Sequence, residues 1–286
     1  MLPFYGAACD RRTDAQDYWV SGHIPGMTAL RRYGAAPYAV AVVHGGPGAA
    51  GEMAPVARAL SFRRGVLEPL QQAATLEGQV QELAGVLEEH AACPATLVGH
   101  SWGAWLAFIA AARYPALAAK VVLIGSGPFE ERYAPLVQNT RLSRLEDSER
   151  KEALSLMRAL GDSGGAAPAA LARLGEVLSS ADHLDPLPGG GEACELRPDI
   201  FCRVWGEAER LRRSGELLAL GERICCPVVA IHGDYDPHPA EGVAAPLSRV
   251  LADFRFITLE ACGHTPWRER RARERFFAVL EAELPL

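Results

Sequence analysis

The chain has 286 residues, 49% of them hydrophobic and 22% charged, with a formal net charge of -6 at pH 7 and a pI of about 5.8. The hydrophobic share excludes a disordered polymer, and the acidic balance argues against nucleic acid as a partner, because binding phosphate needs a basic footprint. No run approaches the ~18 apolar residues of a membrane span, and Met1 to Asp10 lacks the basic start and long apolar core of a secretory leader, so the expected setting is the cytoplasm.

The 7 cysteines (Cys9, Cys93, Cys194, Cys202, Cys225, Cys226 and Cys262) are odd in number and irregular in spacing, with no C-x-x-C pair. Reduced thiols are expected, not a disulfide framework or a zinc site.

Taken in chain order, residues 38–44 form the first short β-branched run that reads as a buried strand. Helical stretches over residues 51–60 and 76–90 follow, then a second strand at 96–99, an apolar helix at 102–113 and a third strand at 120–126. The alternation then stops. Residues 127–223 read as polar and helical, with the better segments at 141–160, 168–178 and 199–218 and a Pro/Gly-rich interruption at 185–191. Strands resume at 228–232 and 254–259, and a helix over 266–280 closes the chain.

Strands alternating with helices predict an α/β fold with a mostly parallel sheet covered on both faces. Residues 1–126 and 224–286 are expected to form that core, and residues 127–223 an all-helical cap. In such sheets the working groups collect at the carboxyl ends of the strands.

Four motifs fall there. Gly99-His100-Ser101-Trp102-Gly103 fits G-x-S-x-G, between an apolar strand and an apolar helix. A serine on so sharp a turn is strained and needs glycine on either side, so Ser101 is the expected nucleophile. His44-Gly45-Gly46-Pro47-Gly48 follows the first strand. Acyl transfer needs N–H donors aimed at the developing oxyanion, here assigned to Gly46 and Trp102, with Gly45 and Trp105 as candidate substrate contacts. Asp236, within the stretch from His232 to His238, is preferred over Asp234 as the carboxylate that orients the base. His264, in Cys262-Gly263-His264-Thr265-Pro266, is the expected base, completing the order Ser, Asp, His.

HGGPG, GHSWG, GDYDP and CGHTPW, in this order, resemble the α/β-hydrolase superfamily and look most like its proline iminopeptidase branch. The resemblance spans about residues 39–126 and 227 to the C-terminus; the segment between is alike only in being helical. It implies the α/β-hydrolase fold, a catalytic triad and no cofactor. The branch usually carries D-x-R-G-x-G-x-S after the next strand, whereas residues 62–71 here keep only the arginine–glycine pair. Trp205-Gly206-Glu207 resembles the tryptophan–glutamate piece with which those peptidases bind a substrate amine, which makes Glu207 a candidate. Its competing reading is a solvated glutamate on a charged helix. The run from Arg268 to Arg275 reads as another solvated helix face, pairing Glu269 with Arg273 and Arg270 with Glu274.

The expected activity is hydrolysis of an ester or amide of a small molecule through an acyl-enzyme, with neither membrane nor nucleic acid as partner. A C–C bond hydrolase would use the same triad. Two other classes compete: a metal-dependent phosphoesterase with His44, His232, Asp234, Asp236 and His238 as ligands, which leaves the glycine-bracketed serine unexplained, and a binding protein that keeps the pocket without the chemistry.

Overall fold

The computed structural model describes residues 29–162, 168–188 and 197–284. The expectations placed on Met1 to Asp10, Cys9, Cys194 and Gly189 to Gly191 lie outside the described residues. Among the described residues seven strands form one sheet: β1 (Ala29–Tyr33), β2 (Tyr38–Val43), β3 (Gly65–Leu70), β4 (Ala95–His100), β5 (Ala118–Ile124), β6 (Val228–Gly233) and β7 (Phe254–Leu259). Their spatial order is β1-β3-β2-β4-β5-β6-β7, with β1 antiparallel to β3 and every other pair parallel. Parallel neighbours require crossovers. These are made by α1 (Ala54–Leu60), α2 (Leu76–His90), α3 (Trp102–Arg113) and α9 (Glu241–Val250), and α10 (Arg273–Glu283) follows β7.

The core lies on both faces of the sheet. One cluster joins α2 and α3 to one face; the other joins α1 and α10 to the opposite face. α3 is apolar all round and buried from Trp102 to Ala112, as a helix beneath an insertion must be.

Between β5 and β6 the chain is helical: α4 (Ala134–Arg144), α5 (Asp147–Asp162), α6 (Pro168–Asp182), α7 (Pro198–Arg213) and the single turn α8 (Glu216–Ala219). Sequence patterning merges α4 with α5 and α7 with α8. Leu145 breaks the first pair with an extended backbone (φ -75, ψ 144) that buries its side chain beside Ala153, Val177 and Ala181. Gly215, left-handed at φ 83, breaks the second.

Two strands escape the sequence reading, β1 and β3. Glu68 and Pro69 hide β3, but both are accommodated. The Glu68 carboxylate accepts the Tyr33 hydroxyl at 2.7 Å and faces Arg31 at 3.5 Å. Pro69 pairs only with Leu30 of β1, beyond the last residue bonded to β2, so its missing N–H interrupts no ladder there.

The C-terminal helix also needs correction. Pro266–Arg268 is a 3-10 turn and α10 begins only at Arg273. Glu269 is fully buried, not solvated: its carboxylate accepts the N–H groups of Leu184 (3.1 Å) and Asp185 (2.9 Å) and lies 3.2 Å from His183 Nδ1. Arg270 lies 3.4 Å from Asp185, so the expected pairing along a helix face is replaced by a tie to the end of α6.

Candidate active site

Ser101 sits between the last residue of β4 and the first of α3, at φ 52 and ψ -112. Side chains other than glycine rarely adopt a positive φ, and such strain persists only where its surroundings enforce it. Here they do. Ser101 N–H donates to Ile124 O on β5 at 2.9 Å, which fastens the turn to the neighbouring strand. A Cβ at Gly99 would collide with the Gly103 carbonyl, and one at Gly103 with the carbonyls of Val43 and His44, so both positions must be glycine. The first N–H groups of a helix have no partner within it, and Trp102, the first residue of α3, carries one of them.

Asp236 and His264, the expected acid and base, stand on the turns after β6 and β7. Asp236 Oδ2 accepts His264 Nδ1–H at 2.9 Å, and its Oδ1 accepts His238 N–H at 2.9 Å. Burial alone would raise the Asp236 carboxyl. The imidazoles of His264, His232 and His238 more than reverse that and hold it well below the usual carboxylate range. Asp234 does different work: its two oxygens accept the N–H groups of Ala261 and Cys262, each at 3.1 Å, which shapes the turn leading to His264.

The His264 backbone is held at both ends. Its N–H donates to Asp182 O at 2.8 Å, and its carbonyl faces His100 Nε2 at 3.0 Å. Ser101 Oγ has no hydrogen bond among the described residues. The ring of His100, the residue before Ser101, lies 4.8 Å from that of His264 between centroids.

Gly46 adopts φ 49, and its carbonyl accepts Ala49 N–H at 2.9 Å. Its own N–H has no partner among the described residues. Gly45 differs: its N–H donates to Glu52 Oε2 at 2.8 Å, so the amide is already engaged within the protein.

Of the five residues proposed as metal ligands, His44 Nδ1 lies 2.8 Å from Gly45 O, His232 Nε2 lies 2.9 Å from His238 O, and Asp234 holds the turn described above. Asp236 and His238, with His264, are the one group of three among the described residues whose ligand atoms come within 4.8 Å of one another. The contacts of His264 Nδ1 with Asp236 (2.9 Å) and His238 Nδ1 (3.2 Å) fill that space directly.

A family model described as an alpha/beta hydrolase family matches residues 10–279. The chain belongs to the alpha/beta hydrolase family. Among solved structures it is similar to VinJ (19% identity, 89% of this chain and 95% of that one, TM-score 0.66). It is also similar to a proline iminopeptidase from Mycobacterium smegmatis (19% identity, 90% and 94%, TM-score 0.60) and to E-2-(acetamidomethylene)succinate hydrolase (21% identity, 89% and 94%, TM-score 0.59). At these identities the likeness is one of fold. A search of the curated proteins finds no match. Among the described residues no helix is long and apolar enough to cross a membrane.

In this alpha/beta hydrolase a cavity of about 360 Å³ opens over the serine. Gly46, Pro47, Ser101 and Trp102 form one side. The other is built from the helical segment: Val137, Gln138 and Arg141 on α4, Met157 on α5, Leu174 and Leu178 on α6, and Phe201, Trp205, Glu209 and Arg212 on α7. Trp105 does not face the cavity. It stacks behind Trp205 (centroids 5.6 Å apart, planes 1° apart) and donates its indole N–H to Gly127 O at 3.1 Å.

Glu207 is not a pocket residue either. Its carboxylate accepts Leu76 N–H at 2.7 Å and caps the start of α2. The glutamate that does reach the cavity is Glu209, two residues on, which accepts the Trp205 indole N–H at 3.0 Å.

His238 lines the cavity too, with its ring edge-on to His264 at 4.4 Å between centroids. Burial and the neighbouring His264 lower it to about 4, so it is neutral at physiological pH. Sequence reasoning treated His238 only as a metal ligand; its place two residues after Asp236 was the available signal. Arg141 and Arg212 carried no signal of their own.

Proposed function

We propose that this hydrolase cleaves an ester or amide bond of a small molecule through an acyl-enzyme on Ser101. His264 takes the Ser101 proton as the hydroxyl attacks the carbonyl, while Asp236 holds the imidazole in the tautomer that leaves Nε2 free to accept it. The oxyanion is received by the amides of Gly46 and Trp102. His264 then gives its proton to the leaving group, and a water that it deprotonates releases the acyl group and regenerates the serine. Residues 127–223 act as a cap that shapes the substrate cavity.

The observation that carries this reading is the Ser101 backbone: a non-glycine residue held at φ 52 between strand and helix, at the wall of the cavity. Strain of that kind is retained where a side chain must be presented. The Asp236–His264 pair at the same end of the sheet supplies the base.

The test is labelling with a fluorophosphonate probe, with the wild type and Ser101→Ala compared. Stoichiometric labelling that disappears in the variant is expected; an inert wild-type serine rejects the mechanism in favour of a binding protein. A panel of p-nitrophenyl esters beside aminoacyl anilides, proline included, then separates an esterase from an aminopeptidase of the proline iminopeptidase type. Turnover of neither, despite labelling, points to a C–C bond substrate.

A further inference from the structure

His100, the residue before the proposed nucleophile, has no part in the mechanism above, yet its buried ring touches three of the loops that build the site. Its Nδ1 lies 3.2 Å from Glu52 Oε2, and its Nε2 lies 3.0 Å from the carbonyl oxygen of His264. A backbone carbonyl can only accept a hydrogen bond, and so can an ionised carboxylate. A neutral imidazole carries one N–H and can serve one of these partners; only the doubly protonated ring serves both. We infer that His100 is a buried imidazolium, kept in that state by Glu52, and that it is a positioning residue fixing the oxyanion loop, the serine turn and the His264 loop relative to one another.

Glu52 is what makes this a three-way junction. The oxygen that faces His100 also accepts Gly45 N–H at 2.8 Å, so one carboxylate holds the loop before Gly46 and the residue before Ser101 together. A Cβ at Gly45 would lie 2.8 Å from His100 Nδ1 and 3.3 Å from Ser101 Cβ, which shows how tightly the loop is pressed there.

The charged and titratable groups around the ring are Glu52 from the segment before α1, and Asp236 and His264 from the turns after β6 and β7. Trp267 closes the remaining side with an uncharged ring, edge-on at 4.7 Å between centroids. Burial alone would lower His100, and Glu52 more than offsets this and raises it. Burial alone would raise Glu52, and His100 brings it down to about 2. Glu52 is partly exposed while His100 is enclosed, so solvent supports the anion and the anion supports the cation.

The active site whose loops His100 ties together is the one proposed above; the state of His100 is readable without that reading. Histidine-selective 15N spectra of the full chain, with His100 assigned from its disappearance in His100→Gln, should show two equivalent protonated ring nitrogens at pH 7.5. Glu52→Gln should convert that signal to the unequal pair of a neutral ring. A neutral pattern in the wild type overturns the inference, and that spectrum decides the matter even if Glu52→Gln does not fold.

With any ester that the wild type turns over, Glu52→Gln should lower kcat/KM roughly 10²-fold through misplacement of the loops. Probe labelling of Ser101 with a neutral His100 sinks this inference alone; an imidazolium beside an unreactive serine sinks the hydrolytic reading alone.

Discussion

The sheet and the helical segment between β5 and β6 meet at the same cavity but are built by different rules. β4 and β6 are buried throughout, and α3 is buried along all but its last residue. α4 has no buried residue, and among the described residues the segment's own core amounts to Leu145, Ala153, Val177 and Ala181. Close packing on every side fixes a group to a fraction of an ångström. A side chain with solvent or cavity on one side is free to differ. Groups that must be placed accurately stand on the sheet; groups that need only offer shape stand on the helices.

Substitutions on the two sides should therefore fail in different ways. The largest effect is expected at Asp236→Asn, where the carboxylate holding His264 is lost and kcat should fall on the order of 10⁴-fold with the fold intact. Asp234→Asn, which weakens two backbone contacts in the turn, should instead cost about 1 kcal/mol of stability with little change in kcat. Steady-state kinetics beside denaturant titration reads both, and the reverse ranking would move the role of acid to Asp234.

Next in size, Gly103→Ala presses a methyl group into the carbonyls of Val43 and His44. It should destabilise the protein by on the order of 3 kcal/mol or more, and an alanine tolerated within 1 kcal/mol would show that the serine turn is looser than its backbone implies. On the helical side, Trp205→Ala removes a ring stacked on Trp105 and lying 6.1 Å from Phe201, which enlarges the cavity. The preference among p-nitrophenyl esters should shift toward longer acyl chains by roughly tenfold, with kcat on the shortest ester little changed. A collapse of kcat instead would place Trp205 with the sheet residues.

The smallest expected effect is on acid stability. His238 is about 4 in the folded state, below the ordinary value of 6.5, so the unfolded chain binds its proton first. That contribution is complete above about pH 6.5 and is lost as pH falls through about 4. His238→Gln should flatten the fall of stability over that window, and an unchanged slope would mean that the ring is less enclosed than it is in this structure.

How much of this is legible in the sequence divides along the same line. Strands β2, β4, β5 and β6 announce themselves because buried parallel strands are continuous apolar runs, whereas the edge strand β7, with only Leu259 buried, is legible from its aromatic and β-branched residues. Glycines 99 and 103 are legible for a related reason, since a turn that excludes side chains leaves a mark in the letters. β3 is not, because Glu68 is paired across strands by Tyr33 and no local pattern encodes that. The same holds in the helical segment. Glu207 and Glu209 look alike in sequence, and only the packing of α7 sends one to cap α2 and the other to the cavity. Glu269 reads as solvated from its charged neighbours, and only its contacts with residues 183–185 show otherwise.

The bond from His264 N–H to the Asp182 carbonyl has a practical reach beyond the site. Grafting a foreign set of helices onto this scaffold to change its substrate would replace the residue that anchors the proposed base. A chimera joined before the end of α6 should therefore tolerate exchange, whereas one joined after it should need that single carbonyl rebuilt before any new selectivity could be seen.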